Sequence, residues 1–349
     1  MKKISLILVG AALMLSSCNL IPDAFSGATK NYDANGNSLY HRTDETSLAT
    51  GNLFIEGEVK KPGEVKLKKY YKREVFYKQA TPNDSGSYNF VGAYRCRGYS
   101  LFDILNPFIV EKKNVEAFRP STDLYLIIEN DKGDKVTFSW AEIFLTNTPH
   151  QVIIATEMAP IKPYKKEVDY PTGKVWKIVA ANDLFAFREL ENPTKITIKS
   201  FDKKEYEINR ELKNPFTPTV NVVIADKLVS TIDSTYNQKA NVEYKSIFYG
   251  MGMGYHASPT FKGVELMPIV DNDEAQSCMQ KGLVCFAGLD GYRVIYSYSE
   301  LFNRVDQVKP ILAIPDKYSE SGYFRIYHPN SFYADMSVKA LSEIYLFEE

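Results

Sequence analysis

One stretch of this chain is written twice. Residues 133–144 read GDKVTFSWAEIF and residues 291–302 read GYRVIYSYSELF, with five of the twelve positions identical and most others similar in kind. The offset of 158 persists to Ala155 and Ala313, inside apolar runs. Upstream, Gly98 to Leu105 aligns with Gly263 to Val270. Downstream, Lys177 aligns with Arg325, Asn182 with Asn330, Ala186 with Ala334 and Ile196 with Ile344. A collinear repeat constrains the fold before anything else, because both copies must be the same structural unit. The expectation is two tandem domains related by internal duplication, over residues 51–200 and 201–349.

Spacing gives the elements of each copy. Leu53 to Val59 alternate in polarity as a strand does, and Pro62-Gly63 supplies a turn. Leu101, Ile104 and Leu105 fall at helical spacing, with Asn106-Pro107 as the stop. Leu124 to Ile128 and Val136 to Phe138 read as two strands joined by a hairpin turn over residues 130–133. Ser139 is placed to cap a short helix, with Glu142 at the third helical position as a capping box requires; Ser297 and Glu300 repeat the pair. Tyr 24 and Phe 20, among many Val, Ile and Thr, favour strands. Strands broken by short helices predict β-rich α+β domains.

The N-terminus carries a different message. Met1-Lys2-Lys3, the apolar run Ile4 to Leu15 and the small pair Ser16-Ser17 before Cys18 form a signal peptide over residues 1–17. The apolar run is too short for a bilayer core of about 30 Å. Leu15-Ser16-Ser17-Cys18 resembles the lipobox of bacterial lipoproteins, which implies acylation of Cys18 and attachment to a membrane of the cell envelope. The outer membrane is the expected site, on its periplasmic or surface face. Residues 18–50, rich in Gly, Asn, Ser, Thr and Asp, read as the lipidated cysteine and a flexible tether. Lys+Arg 42 against Asp+Glu 43 leaves a formal net charge of -1, without the electrostatic footprint of a nucleic-acid binder. Beyond Cys18 the cysteines are Cys96, Cys278 and Cys285; the last two, close in sequence in an exported chain, are candidates for a disulfide.

The repeated order resembles the molybdopterin-binding domain of sulfite-oxidase-like oxidoreductases. The residues that carry the likeness are Gly263-Val264-Glu265-Leu266 read as a helix start, Asp290-Gly291-Tyr292, Ser297 to Leu301 and Ile311-Leu312-Ala313. Phe54 to Pro62 matches the opening pattern in the first copy. The resemblance implies two divergent domains of that fold over most of residues 51–349. It also implies a cysteine thiolate to the metal well before Gly263, and no residue from Phe201 to Lys262 is a cysteine. Cys96 stands too close to Gly98 for the role. A soft, charged ligand is what such a metal centre needs. The family's redox chemistry is therefore not expected, no catalytic residue is assigned, and a retained molybdopterin cofactor is the alternative.

Gly250-Met251-Gly252-Met253-Gly254-Tyr255-His256 is the least ordinary local sequence. Its glycines allow backbone to approach a ligand, and two thioethers with an imidazole suit a soft metal. Met251, Met253, His256 and Tyr292 are the candidate cofactor- or ligand-binding residues, and copper or haem handling is a third reading. No metal site is assigned, since a glycine-rich loop with packed methionines accounts for the same pattern. His41, His150 and His328 are scattered, and the Gly-x-Ser-x-Gly and phosphate-loop motifs are missing. The expectation is a membrane-attached scaffold that binds a small molecule or a protein partner.

Overall fold

Strands carry this chain. The computed structural model describes residues 43–349 apart from 84–86, 164–167, 214, 234, 237–241, 271 and 315–322, and it is 46% strand and 12% helix. The first half contains β1 (Thr46–Ser47), β2 (Phe54–Gly57), β3 (Gly63–Glu64), β4 (Arg73–Pro82), β5 (Tyr88–Ser100), β6 (Leu124–Asn130), β7 (Lys135–Ser139), β8 (Val152–Pro160), β9 (Lys177–Ala180), β10 (Leu190–Glu191) and β11 (Pro193–Ser200). The second half contains β12 (Val220–Ile224), β13 (Lys227–Ile232), β14 (Val242–Lys245), β15 (Phe248–Gly250), β16 (Gly254–Ala257), β17 (Thr260–Glu265), β18 (Gly282–Gly288), β19 (Arg293–Ser297), β20 (Ile311–Ile314), β21 (Arg325–Tyr327) and β22 (Leu341–Glu348).

Four sheets are arranged as a four-blade β-propeller. The first blade runs β10-β9-β8-β5-β4, with β1 also on β8, and the second runs β3-β2-β11-β6-β7. The third runs β13-β12-β22-β18-β19 and the fourth β14-β17-β20-β21. Each half thus contributes two blades with one strand order. The second and third blades each hold one parallel pair, β2 with β11 and β12 with β22. β15 and β16 form a separate hairpin.

Alternation explains how the blades stack. On β6, Leu124, Leu126 and Ile128 join the core against the first blade, while Tyr125 and Ile127 face β18 and β22 of the third. A strand buried on both faces reads as a continuous apolar run, as Leu124 to Ile128 does. β18 behaves alike: Leu283 and Cys285 face the second blade, and Val284 and Phe286 face the fourth. Cys278 sits in that second core. Cys278 and Cys285 are accordingly separate buried thiols, not the disulfide their spacing suggested. The sheet alternation turns Cys285 away from Cys278. Burial pushes the Cys278 thiol up to about 12, and it pushes Cys285 in the same direction.

The halves meet through matched contacts. Leu184 donates its N–H to Asn303 O and Phe332 donates to Leu145 O; Val305 donates to Asn182 O and Asn147 to Asn330 O. Each pair maps onto its counterpart by the offsets of the repeat. Ala141 and Leu145 of the first half also pack in the core beneath the third blade.

This architecture corrects the fold expectation. The mostly β, four-blade arrangement overturns the α+β fold of sulfite-oxidase molybdopterin-binding type. Among the described residues α1 (Leu101–Leu105), α2 (Trp140–Phe144) and α4 (Tyr298–Phe302) are five residues long, and only α3 (Asn272–Lys281) reaches ten. A single turn satisfies its cap but cannot form a layer. Gly263 starts no helix; it lies in β17 opposite Ala313, as Gly98 lies opposite Ala155. A Cβ would come 2.2 Å from Leu312 O at Gly263 and 1.9 Å from Ile154 O at Gly98. Close strand approach is what fixes both glycines.

The end of the segment read as tether belongs to the fold. β1 pairs with β8, Leu48 is buried, and Glu45 bridges Arg95 and Arg97 at 2.9 and 2.8 Å. The signal segment, Cys18 and the remainder of the tether lie outside the described residues.

Candidate functional site

The Gly-Met run folds as the tip of the β15–β16 hairpin. Gly250 opposes Gly254, and Met251 to Met253 make the loop between them. Gly254 has φ +75°, a conformation that glycine adopts without strain. At Gly250 a Cβ would stand 2.6 Å from His256 Nε2, so the missing side chain is what lets the imidazole lie on the backbone. The loop is tied down where the Met251 N–H donates to Asp335 Oδ2 at 2.7 Å, in the 3-10 turn Ala334–Met336.

Tyr292 comes from the β18–β19 hairpin. Gly291, with φ +76°, passes close to the backbone of Glu207, where a Cβ would meet Glu207 O at 2.2 Å. The Tyr292 N–H donates to Asp290 Oδ1 at 3.0 Å, and its hydroxyl donates to Asp335 O at 2.9 Å. Its ring packs edge-on to Phe118 of the first half, centroids 5.6 Å apart. Burial holds the phenol above its ordinary range, so at neutral pH it is a hydrogen-bond donor.

These pieces enclose a cleft of about 470 Å³, a size suited to a small molecule. Met253, His256 and Tyr292 line it together with Phe248, Arg325 and Asp335. Met251 contributes its N–H to the frame, while its side chain stays outside the lining and exposed. Among the described residues no three His, Cys, Asp or Glu side chains gather at metal-binding spacing.

Arg325 is the functional candidate that sequence spacing missed. It opens β21 opposite Ala313 and is only 9% exposed. Its guanidinium lies over Phe248 at 5.3 Å and Phe261 at 5.8 Å from the ring centroids. Among the described residues it has no ion-pair partner, and its buried Nε has no hydrogen-bond partner. Burial pushes the guanidinium down to about 10, and no charge among the described residues opposes that shift.

The signal for Arg325 was present in the repeat. Its counterpart Lys177 opposes Ala155 on β9, just as Arg325 opposes Ala313. Lys177 is buried too, but it has a partner, Glu189, at 3.0 Å. The residue that corresponds to Glu189 is Ser337: Glu189 donates its N–H to Ala186 O, and Ser337 donates to the matching Ala334 O. Ser337 lines the cleft and spends its hydroxyl on Ile326 O at 2.7 Å. The second half has kept the buried cation and lost its carboxylate.

A cleft of similar size, about 490 Å³, borders β3 and β8 in the first half. Its charges are largely matched, Lys66 with Glu64 and Lys72 with Glu157. No protein-family model and no curated protein matches the sequence.

Proposed function

We propose that this chain is a lipid-anchored binding protein of the bacterial cell envelope, attached through Cys18 and receiving a small molecule in the cleft at the β15–β16 hairpin. Binding is its task, and turnover is not. The observation that carries this reading is the convergence on one cavity of the Gly-Met hairpin, Tyr292 and a buried cation that has no ion-pair partner among the described residues. A tight glycine turn, a hydrogen-bonded phenol and a fixed 3-10 turn make that cavity rigid before any ligand arrives, which lowers the ordering cost of binding. Exposed Met253 at its rim gives an adaptable apolar contact.

The anchor is read from the apolar run Ile4 to Leu15 and the small pair Ser16-Ser17 that precedes Cys18. One acyl chain holds a protein only weakly, so stable attachment calls for more than one chain on that residue. Native mass spectrometry of the full chain, extracted in mild detergent from its own membranes, tests both statements. A lipid-sized covalent mass lost in Cys18→Ser and a dissociable small-molecule adduct lost in Tyr292→Ala are the expected results. A chain without either mass would remove the reading.

A further inference from the structure

We propose that Arg325 is the anion receptor of this cleft, and that the ligand is a small organic monocarboxylate with an apolar body. Its carboxylate would occupy the place beside Arg325 that Glu189 holds beside Lys177 in the first half. The inference rests on the cleft being a ligand site and adds the chemistry of the ligand.

The repeat supplies an internal control. Lys177 and Arg325 stand at one register position of matching strands, and both are buried. A buried cation without a counter-charge is costly, and proteins ordinarily pair it. The first half does so from its own chain, Lys177 Nζ to Glu189 Oε1 at 3.0 Å. In the second half Ser337 replaces the carboxylate, and that change leaves open space instead of a filled core, because Ser337 and Arg325 both line the cleft. The cation in that half is arginine, whose planar fork engages a carboxylate through two parallel hydrogen bonds.

The charges that line the cleft disfavour a dianion. Arg325 and Lys339 face the cleft alongside Asp290 and Asp335. Asp290 and Asp335 each give one oxygen to a backbone N–H, of Tyr292 and Met251. Two cations against two carboxylates leave no surplus for a phosphate dianion, which the aspartates would repel. A single carboxylate on Arg325 asks for less. Phe248 and Met253 beside the guanidinium offer apolar surface to the rest of the ligand.

Calorimetry on the full chain in detergent micelles tests this. The probes are a series of carboxylates from benzoate to dodecanoate, the primary amide of each, and phenylphosphonate. At least one carboxylate is expected to bind ten-fold or more tightly than its amide and more tightly than phenylphosphonate. Arg325→Met is expected to erase the preference for acid over amide, and Arg325→Lys to weaken the acid several-fold. Should acid and amide bind wild-type protein equally, the anion receptor falls while the cleft survives. Tighter binding of phenylphosphonate would overturn the monoanion. Failure of every probe, amides included, would take the cleft reading down with it. The acid-to-amide ratio on wild-type protein decides the matter even if a variant fails to fold.

Discussion

The hydroxyl of Ser297 donates to Glu142 Oε1 at 2.8 Å across 155 residues of chain, and Ser139 donates to Glu300 Oε2 at 2.7 Å in return. Each serine is the N-cap of its own helix and each glutamate the third helical residue of that cap. The two capping boxes are therefore interlocked, so that each half completes the other. Arg188 enters this junction from one side only. It donates to Glu142 Oε1 and Oε2 at 2.9 and 3.0 Å, to Ser297 Oγ at 3.0 Å and to Asp183 Oδ1 at 2.6 Å. Its counterpart in the second half is Met336, so the symmetry stops at the charge.

Arg188→Met is expected to be among the most damaging single changes in the molecule. It leaves Asp183 and Glu142 buried without their cation, at a cost of about 3–5 kcal/mol. Ser297→Ala removes a cap and a cross-half hydrogen bond, for about 1–2 kcal/mol. Chemical denaturation curves check both values. Equal midpoints for the two variants would show that the junction is held by packing alone.

Glu300 sets a pH dependence. Burial first, and then the neighbouring Glu142, push its carboxyl up from 4.5 to about 8. Over that interval the folded protein holds a proton that the unfolded chain has released. Stability therefore falls as pH rises from about 4.5 to about 8, by at most roughly 1.4 kcal/mol per pH unit. Glu300→Gln keeps the shape without the ionisation and is expected to flatten that slope. Thermal melting from pH 5 to 8 measures the difference, and identical slopes would contradict it.

Gly98→Ala and Gly263→Ala are expected to behave alike. Each added methyl meets a backbone oxygen of the facing strand, at 1.9 and 2.2 Å, where nothing flexible can move aside. Overpacking of this kind costs about 1–3 kcal/mol or more. Urea midpoints should drop for both; a silent change at either position would mean that the halves are not built alike there.

Opposite signs are expected at Lys177 and Arg325. Lys177→Met strands the buried Glu189 carboxylate and lowers stability by about 3–5 kcal/mol. Arg325→Met removes a buried cation that has no counter-charge among the described residues, and raises stability by about 1–3 kcal/mol. Melting temperatures at neutral pH separate the two directions. A loss at Arg325 as large as that at Lys177 would mean that the cation is structural.

Local features were legible in the sequence because they depend on neighbours a few residues apart. The Ser139–Glu142 and Ser297–Glu300 capping boxes, the hairpin turn at 130–133 and the strands on either side of it stand where spacing put them. The assembly of sheets was not legible. β2 pairs with β11 about 140 residues on, and nothing in either strand names its partner. Gly263-Val264 carried an apolar spacing that suits helix or strand, and the deciding fact, the closeness of Leu312, is tertiary. Cys278 and Cys285 are near in sequence but separated by the alternation of β18. In the cleft, the unusual Gly-Met run drew attention to Met253 and His256. Arg325 passed unnoticed because a lone arginine at a strand end reads as surface; the change from Glu189 to Ser337 at matching positions was the missing half of the signal.

The proposed function stands or falls on whether the cleft at the β15–β16 hairpin receives a small molecule. Methionine-methyl NMR of the full chain, with the Met253 resonance assigned by Met253→Leu, tests it most directly, because Met253 lines the cleft while Met158 is buried in the first half. On titration with a diverse small-molecule library, the Met253 methyl is expected to shift for a subset of compounds while Met158 stays fixed. Compounds that move Met158 and leave Met253 untouched, or a library that moves neither, would contradict the claim.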